Sequence, residues 1–204
     1  MIEISGLSKS YGSKRIFSGF SALIPDGVTC LTGSSGSGKT TLARILAGLE
    51  SAEGGTISGV DDKVVFLFQD PRLLGWKTAA ANVALAADPR RFSSKQASIL
   101  AASYLSALSL SPDDLDKRPA ELSGGMRQRV ALARAALFAH SIVSSGSRVS
   151  LTVLDEPLKG LDADTRSAAV QFIKDNFFQN GGSVIIITHD QADLSDFGGN
   201  ILQI

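Results

Sequence analysis

The chain has 204 residues, enough for one ordinary domain to bury its own hydrophobic core. Twenty basic and twenty acidic side chains cancel, which argues against a surface that binds nucleic acid or another polyanion. A single cysteine excludes an internal disulfide, and no apolar run approaches the roughly 18 residues of a membrane-spanning helix.

The predicted strands fall into two groups. Residues 2–4 and the alternating segment 15–24 predict an antiparallel, partly exposed sheet near the N-terminus. Short apolar runs at residues 28–31, 151–154 and 184–188 are typical of buried strands in a mostly parallel sheet. Polar residues follow each of these runs, at the strand ends where open α/β sheets bind their ligands. The predicted fold class is therefore α/β.

Some predicted helices follow these strands, and others form a separate helical segment. Alanine-rich sequence indicates a helical subdomain, at about residues 71–122, inserted into a single domain that spans residues 1–204. The serine-rich segment 144–147 indicates a surface loop. The predicted helices cover residues 39–49, 79–87, 94–108, 123–138 and 162–178.

A glycine-rich loop with the spacing G-x-x-x-x-G-K-T lies between the first apolar strand and the first helix. Its glycines let backbone N–H groups point inward at a phosphate, and the helix adds its positive N-terminal end. Lys39 is expected to reach the terminal phosphates, and the Thr40 hydroxyl to bind Mg²⁺. An ordinary glycine–serine loop is the alternative, and the motif alone does not separate ATP from GTP. The residues predicted to bind the nucleotide here are Gly33, Ser34, Ser35, Gly36, Ser37, Gly38, Lys39, Thr40 and Thr41.

Two adjacent acids, Asp155 and Glu156, end the second apolar strand. In nucleotide-hydrolysing proteins with such a loop, an aspartate at this point holds Mg²⁺. A carboxylate next to it can polarise an attacking water and accept its proton. The alternative is a solvated turn between strand and helix. Together the loop and the acids predict the core of a P-loop NTPase, with Glu156 as the general base.

The stretch Leu122-Ser123-Gly124-Gly125-Met126-Arg127-Gln128-Arg129 resembles the signature motif of ATP-binding cassette (ABC) proteins, and the resemblance extends in order over essentially the whole chain. It implies that Tyr11 stacks on adenine, that Gln69 touches Mg²⁺ and links the ATP site to a membrane partner, and that His189 contacts the γ-phosphate. Taken alone, Tyr11 is an ordinary surface aromatic, Gln69 a polar strand end and His189 an exposed helix cap.

The signature motif has physics of its own. Ser123 is expected to cap the following helix, and the two glycines after it leave the first N–H groups of that helix open to an anion. The resemblance implies that two subunits pair head to tail, so that Ser123, Gly124 and Gly125 close on the ATP of the other subunit. It also implies a nucleotide contact for Asp162, although this chain has Lys159-Gly160-Leu161 where the family usually carries Ser-Ala-Leu.

A narrower resemblance starts at Gln69. The run Gln69-Asp70-Pro71-Arg72-Leu73-Leu74-Gly75-Trp76 is similar to the corresponding segment in importers of nitrate, sulfonate, taurine and related small solutes. Trp76 is interpreted as lying near the surface that meets a transmembrane subunit, with a core or rim aromatic of the helical subdomain as the alternative. The resemblance therefore implies the ATPase subunit of a bacterial importer, at the inner face of the cell membrane.

The partners implied are a second ATP-binding subunit, identical or paralogous, transmembrane permease subunits and a solute-binding protein, with no nucleic acid. ATP and Mg²⁺ are the implied cofactors. A soluble ABC ATPase, an exporter subunit and a nucleotide-binding module without turnover are the alternatives. The predicted catalytic residues are Lys39, Gln69, Glu156 and His189, and the predicted metal ligands are Thr40, Gln69 and Asp155.

Overall fold

The computed structural model describes residues 1–204, except for the side chain at position 180. The strands are β1 (Ile2–Tyr11), β2 (Lys14–Ile24), β3 (Gly27–Thr32), β4 (Gly54–Ser58), β5 (Val64–Leu67), β6 (Leu151–Asp155), β7 (Ser183–Ile187) and β8 (Asn200–Gln203). The helices are α1 (Lys39–Leu46), α2 (Ala79–Ala84), α3 (Ser94–Ala107), α4 (Gly124–Ser144), α5 (Ala163–Phe177) and α6 (Gln191–Phe197). Short 3₁₀ turns occupy Pro112–Asp114, Pro119–Glu121 and Phe178–Asn180.

A five-stranded sheet has the order β5-β6-β7-β3-β8, and the pairs β6–β7, β7–β3 and β3–β8 are parallel. Every residue of β6 and β7 is buried, which is why both strands are almost wholly apolar. The predicted parallel sheet is confirmed, with strand ends that differ from the predicted ones by at most one residue. The polar segments after β3, β6 and β7 follow the carboxyl ends of neighbouring strands.

A separate antiparallel sheet has the order β2-β1-β4, as the N-terminal sequence predicted. The buried side chains of β1 are Ile2, Ile4 and Leu7. They share one core with α1 and with the apolar residues of the parallel sheet, including Val153 and Ile185. That shared core joins the antiparallel sheet to the parallel one.

Three predicted helix ends are wrong by three residues or more. α2 ends at Ala84 rather than at residue 87, and the N–H groups of Ala86 and Ala87 donate to the carbonyls three residues earlier. α1 ends at Leu46 rather than at residue 49, because Gly48 adopts a left-handed φ of 68° and the Leu49 N–H turns back to the Arg44 carbonyl at 2.9 Å. α4 runs to Ser144 rather than to residue 138, so the predicted loop at 144–147 begins only where this helix ends. Its extra turns are held by buried Ser141, whose hydroxyl donates to the Ala86 and Leu137 carbonyls at 3.1 and 3.0 Å.

The chain divides into two units. The first contains residues 1–66, 149–155 and 181–204, with both sheets, α1 and α6. The second contains residues 67–148 and 156–180, in which α4 packs against α2, α3 and α5. The helical subdomain predicted at residues 71–122 falls within the second unit and remains a prediction. Over the described chain, no helix is both long enough and apolar enough to cross a membrane.

A tight backbone approach at Gly182 gives a test of the first unit. A Cβ placed on this residue would lie 2.2 Å from the Val149 carbonyl oxygen and 2.6 Å from that of Ser150. Gly182→Ala is therefore expected to lower the free energy of unfolding by about 1–3 kcal/mol, since backbone atoms yield little to overpacking. Gly75→Ala is the matched control, because a Cβ there meets nothing within 4 Å. Equal denaturant midpoints for the two variants would contradict this account of the β6–β7 edge.

Candidate functional site

The glycine-rich loop after β3 adopts a conformation that requires its glycines. Gly33, Gly36 and Gly38 have φ values of 145°, 78° and 110°, a region that L side chains rarely occupy. Space is short as well, because a Cβ on Gly33 would lie 2.0 Å from the Ile204 carbonyl oxygen. One on Gly38 would lie 2.7 Å from Ile16 Cγ2. Both backbone conformation and packing therefore restrict Gly33 and Gly38 to glycine, whereas backbone conformation alone restricts Gly36.

The polar side chains of this loop point to an anionic ligand. The Lys39 ammonium folds over the loop and donates to the Gly33 and Ser34 carbonyls, each at 2.8 Å. The Ser37 hydroxyl is buried and has no hydrogen-bond partner among the described residues. A buried polar atom without a partner is costly unless a ligand or water satisfies it. The loop thus presents a cation and an unsatisfied hydroxyl where a phosphate group fits.

The Thr40 hydroxyl donates to Asp155 Oδ2 at 3.1 Å. Thr40 lies in the first turn of α1, and Asp155 ends β6 with 2% of its surface exposed. A hydroxyl and a carboxylate are hard oxygen ligands of the kind that Mg²⁺ prefers. The described residues contain no group of three or more His, Cys, Asp or Glu that could enclose a metal. A Mg²⁺ ion here fits the pattern of few protein ligands, completed by phosphates and water.

Tyr11 lies at the tip of the β1–β2 hairpin, with 46% of its surface exposed. Its hydroxyl donates to Glu50, and the Lys9 ammonium lies 5.2 Å from the ring centroid. The hairpin reaches the glycine-rich loop, because Lys14 Nζ would lie 3.8 Å from a Cβ on Gly36. The structure therefore places an exposed aromatic ring on a hairpin beside the phosphate-binding loop.

His189 follows β7 and is exposed. It lines a cavity of about 290 Å³ together with Gly33, so it faces the start of the glycine-rich loop. Below it, the buried Thr188 hydroxyl donates to Asp193 and accepts the Asp190 N–H at 3.0 Å. These bonds tie the segment that carries His189 to the start of α6.

Glu156 belongs to the second unit, although it is bonded to Asp155 of the first. Its φ is 48°, which is uncommon for a residue other than glycine. Gln69, two residues beyond β5, donates its side-chain N–H to Glu156 Oε2 at 3.0 Å. Lys159 Nζ lies 3.0 Å from the same oxygen. The structure therefore brings Gln69 and Glu156 into direct contact.

The signature segment forms the N-terminus of α4. Ser123 caps this helix as predicted, and its hydroxyl accepts the Met126 N–H at 3.1 Å. A Cβ on Gly125 would lie 2.8 Å from the Gly160 carbonyl oxygen, so this helix end packs closely on the turn after Glu156. A cavity of about 460 Å³ opens here, and its lining residues include Ser123, Gly125 and Lys159.

Asp162 caps α5, where its carboxylate accepts the Thr165 N–H at 3.0 Å and the Thr165 hydroxyl at 2.9 Å. The backbone hydrogen bond from Thr165 is the main cause that lowers the pKa of this carboxyl group. The structure gives Asp162 a helix-capping role, and its predicted nucleotide contact remains a prediction.

Two positioning residues were missed by the sequence analysis. Gln128 is buried, and its side-chain amide donates to the main-chain carbonyls of Glu156 and Pro157 at 3.2 and 3.4 Å. Arg134 donates to the Pro71 and Arg72 carbonyls at 2.7 and 2.9 Å, just after Gln69. Polar residues on the buried face of an alanine-rich helix were the available signal, but the sequence does not identify their distant partners.

The predicted site residues are divided between the two units. Those in the first unit are Tyr11, Gly33–Thr41, Asp155 and His189, and those in the second are Gln69, Ser123, Gly124, Gly125, Glu156 and Asp162. Within the first unit the structure joins the loop to Asp155, and within the second it joins Gln69 to Glu156.

A family model and individual known proteins that resemble this chain point to the same family. The family model described as ABC transporter matches residues 21–159. An aliphatic sulfonates import ATP-binding protein, SsuB 2 of Agrobacterium fabrum, is 35% identical over 98% of this chain and 74% of its own length. SsuB of Corynebacterium glutamicum is 36% identical over 98% of this chain and 78% of its own length. The Fe(3+) ions import ATP-binding protein FbpC 3 of Rhodococcus jostii is 34% identical over 98% of this chain and 58% of its own length.

Solved structures agree with the fold. A dimeric, post-hydrolysis structure of the ATP-binding cassette MJ0796 bound to ADP and Pi aligns with a TM-score of 0.83 at 25% identity, over 100% of this chain and 94% of that chain. A second dimeric structure of MJ0796, described as a bacterial ABC transporter cassette, aligns with a TM-score of 0.81 at 26% identity, with the same coverage of both chains. The phosphate-binding loop, the acidic pair and the signature helix end agree with these comparisons. The chain therefore belongs to the ABC transporter family and is an ATP-binding subunit that hydrolyses ATP.

Proposed function

We propose that this chain is the ATPase subunit that energises a bacterial importer of small sulfonate-like solutes. The observation that carries the ATPase part is the contact between Thr40 of the phosphate loop and Asp155, which is bonded to Glu156. Support for import comes from relatives named as import ATP-binding proteins at 34–36% identity. The sulfonate part has the support of relatives named for aliphatic sulfonates.

In the proposed site the loop residues 33–41 hold the triphosphate. Backbone N–H groups and the N-terminal end of α1 supply positive potential. The Lys39 ammonium moves from the loop carbonyls to the β- and γ-phosphates. The buried Ser37 hydroxyl gains a partner. Tyr11 contributes an exposed ring on which adenine stacks.

Mg²⁺ is the proposed metal, with Thr40, Asp155 and Gln69 as the residues that would hold it. The Thr40 and Asp155 oxygens already lie within hydrogen-bond distance of each other, so they converge on one point. When bound, the ion supplies positive charge to the phosphates. The side chains of Thr40, Asp155 and Gln69 would hold the ion in place.

Glu156 is the proposed general base for hydrolysis, and His189 contacts the γ-phosphate. The carboxylate accepts a proton from the attacking water, while Lys39 and the loop N–H groups stabilise charge on the transferred phosphoryl group. Its contact with Gln69 at 3.0 Å and its place directly after Asp155 in the chain support this role.

A second ATP-binding subunit is proposed to complete each site. Ser123, Gly124 and Gly125 would close on the phosphates of the nucleotide held by the opposite subunit, and Asp162 would contact it near the subunit interface. The open cavity at the α4 N-terminus supports this, as does the dimeric state described for the two MJ0796 structures. Whether the second subunit is identical or a paralogue is open.

The proposed membrane partners are permease subunits, with a solute-binding protein in the same complex and no nucleic acid. The chain would lie in the cytoplasm, at the inner face of the cell membrane. Trp76 supports a docking surface after Gln69: it is 72% exposed and is not a core residue. Its loop is tied to α2, because the Asn82 side chain accepts the Leu74 N–H at 2.7 Å and donates to the Lys77 carbonyl at 3.1 Å.

Lys39→Ala is expected to weaken ATP binding at least tenfold, because it removes the only side-chain cation that bonds to the loop among the contacts described. Calorimetric titration with ATP measures the affinity directly. Lys95→Ala serves as the control, since that lysine lies on the exposed part of α3. Unchanged ATP affinity in Lys39→Ala would remove the phosphate-clamp assignment.

Glu156→Gln is expected to retain ATP binding and lose at least 99% of hydrolysis, because an amide keeps the shape but does not accept the proton. The variant should also accumulate as an ATP-bound dimer, because the dimer reopens only after hydrolysis and the variant does not hydrolyse ATP. Phosphate release measures turnover, and sedimentation with and without ATP measures the dimer. Ordinary turnover in Glu156→Gln would exclude this carboxylate as the base.

A further inference from the structure

Lys159 lies three residues after Glu156, and its ammonium is 3.0 Å from Glu156 Oε2. Gln69 Nε2 lies at the same distance from the same oxygen. The proposed base is therefore held by one neutral and one charged donor on a single carboxylate oxygen.

The backbone after Glu156 explains how Lys159 reaches back. The Lys159 N–H donates to the Glu156 carbonyl at 3.2 Å, and the Leu161 N–H donates to that of Leu158 at 3.3 Å. Gly160 has a left-handed φ of 74°. Two successive tight turns thus fold the chain so that the Lys159 side chain lies over the carboxylate three residues earlier.

The main chain of Glu156 is also held, by a side chain of α4. Gln128 donates its side-chain amide to the Glu156 carbonyl at 3.2 Å, from the buried face of α4. This contact helps to maintain the positive φ of Glu156, which persists only where the surroundings compensate for it. The same turn packs on the signature helix end through the close approach of Gly125 and Gly160. Lys159 therefore extends from a backbone that is fixed on both sides.

We infer that Lys159 is a positioning residue for the Glu156 carboxylate. With Oε2 held by two donors, the carboxylate plane is fixed and the direction of Oε1 is fixed with it. A base that is already oriented loses less entropy when it meets its water. This inference rests on the proposed role of Glu156 as the base.

The expected effect is on the rate rather than on stability. The Lys159 side chain is 55% exposed and that of Glu156 is 18% exposed, and ion pairs so open to solvent add little to the stability of the fold. Misplacing a catalytic group by about 1 Å lowers the rate far more, by up to about two powers of ten.

The test compares Lys159→Met and Lys159→Arg in the full chain, with steady-state ATP hydrolysis as the measurement. Lys159→Met is expected to lower kcat about tenfold and leave KM for Mg·ATP within about twofold, because orientation acts on the reaction step. Lys159→Arg keeps a donor and a charge and should recover most of kcat. Lys117→Met is the matched control: Lys117 pairs with Asp114 at 2.6 Å with the same three-residue spacing, and its side chain is 42% exposed.

Unchanged or increased kcat in Lys159→Met would overturn the inference, and so would a higher KM at constant kcat or an equal loss in Lys159→Arg. Glu156→Gln is measured in parallel, so that failure of the base assignment for Glu156 can be distinguished from failure of the positioning role of Lys159. If Glu156→Gln turns over normally, the base assignment fails and the Lys159 inference fails with it. If Glu156→Gln is inactive while Lys159→Met keeps the wild-type kcat, only the Lys159 inference is wrong.

Discussion

The parallel pairing of β3, β6 and β7 is the constraint on which the first unit depends. Because the three strands run side by side in one direction, the glycine-rich loop, Asp155 and the segment of His189 all leave the same edge of the sheet. The strands are buried on both faces, so the polar side chains are confined to their ends. The hydrogen bond between Thr40 and Asp155 then joins α1 to that edge.

Steric restriction at glycines shapes the two phosphate-related segments in different ways. In the loop after β3, the positive φ values of Gly33, Gly36 and Gly38 bend the backbone in a way that other residues rarely adopt. At Gly125 the requirement is space, because the Gly160 carbonyl oxygen would lie 2.8 Å from a Cβ. The first restriction shapes a binding surface within the first unit. The second couples the signature helix end to the turn that begins at Glu156.

Local patterns predicted most of the fold and the residue types of the candidate site. Buried strands were identified because β6 and β7 are almost wholly apolar, and the Ser123 cap followed from a serine before a helical segment. The end of α4 was missed because Ser141 is polar in sequence but buried in the fold, where it bonds to Ala86. The contact of Gln128 with Glu156 was missed for a related reason, since it depends on where α4 meets the turn that begins at Glu156. The Lys159 contact spans only three residues, but it depends on the tight turns that follow Glu156.

The proposed role of this ATPase is to drive a membrane transporter. The most direct test is recovery of the tagged Glu156→Gln chain from gently solubilised native membranes with Mg·ATP, with co-purifying proteins identified by mass spectrometry and tagged Lys39→Ala as the control. The account predicts a protein with several membrane spans that is retained with Glu156→Gln and depleted with Lys39→Ala. Recovery of soluble partners alone, or of an ATP-bound dimer alone, would contradict it and favour a soluble ABC ATPase.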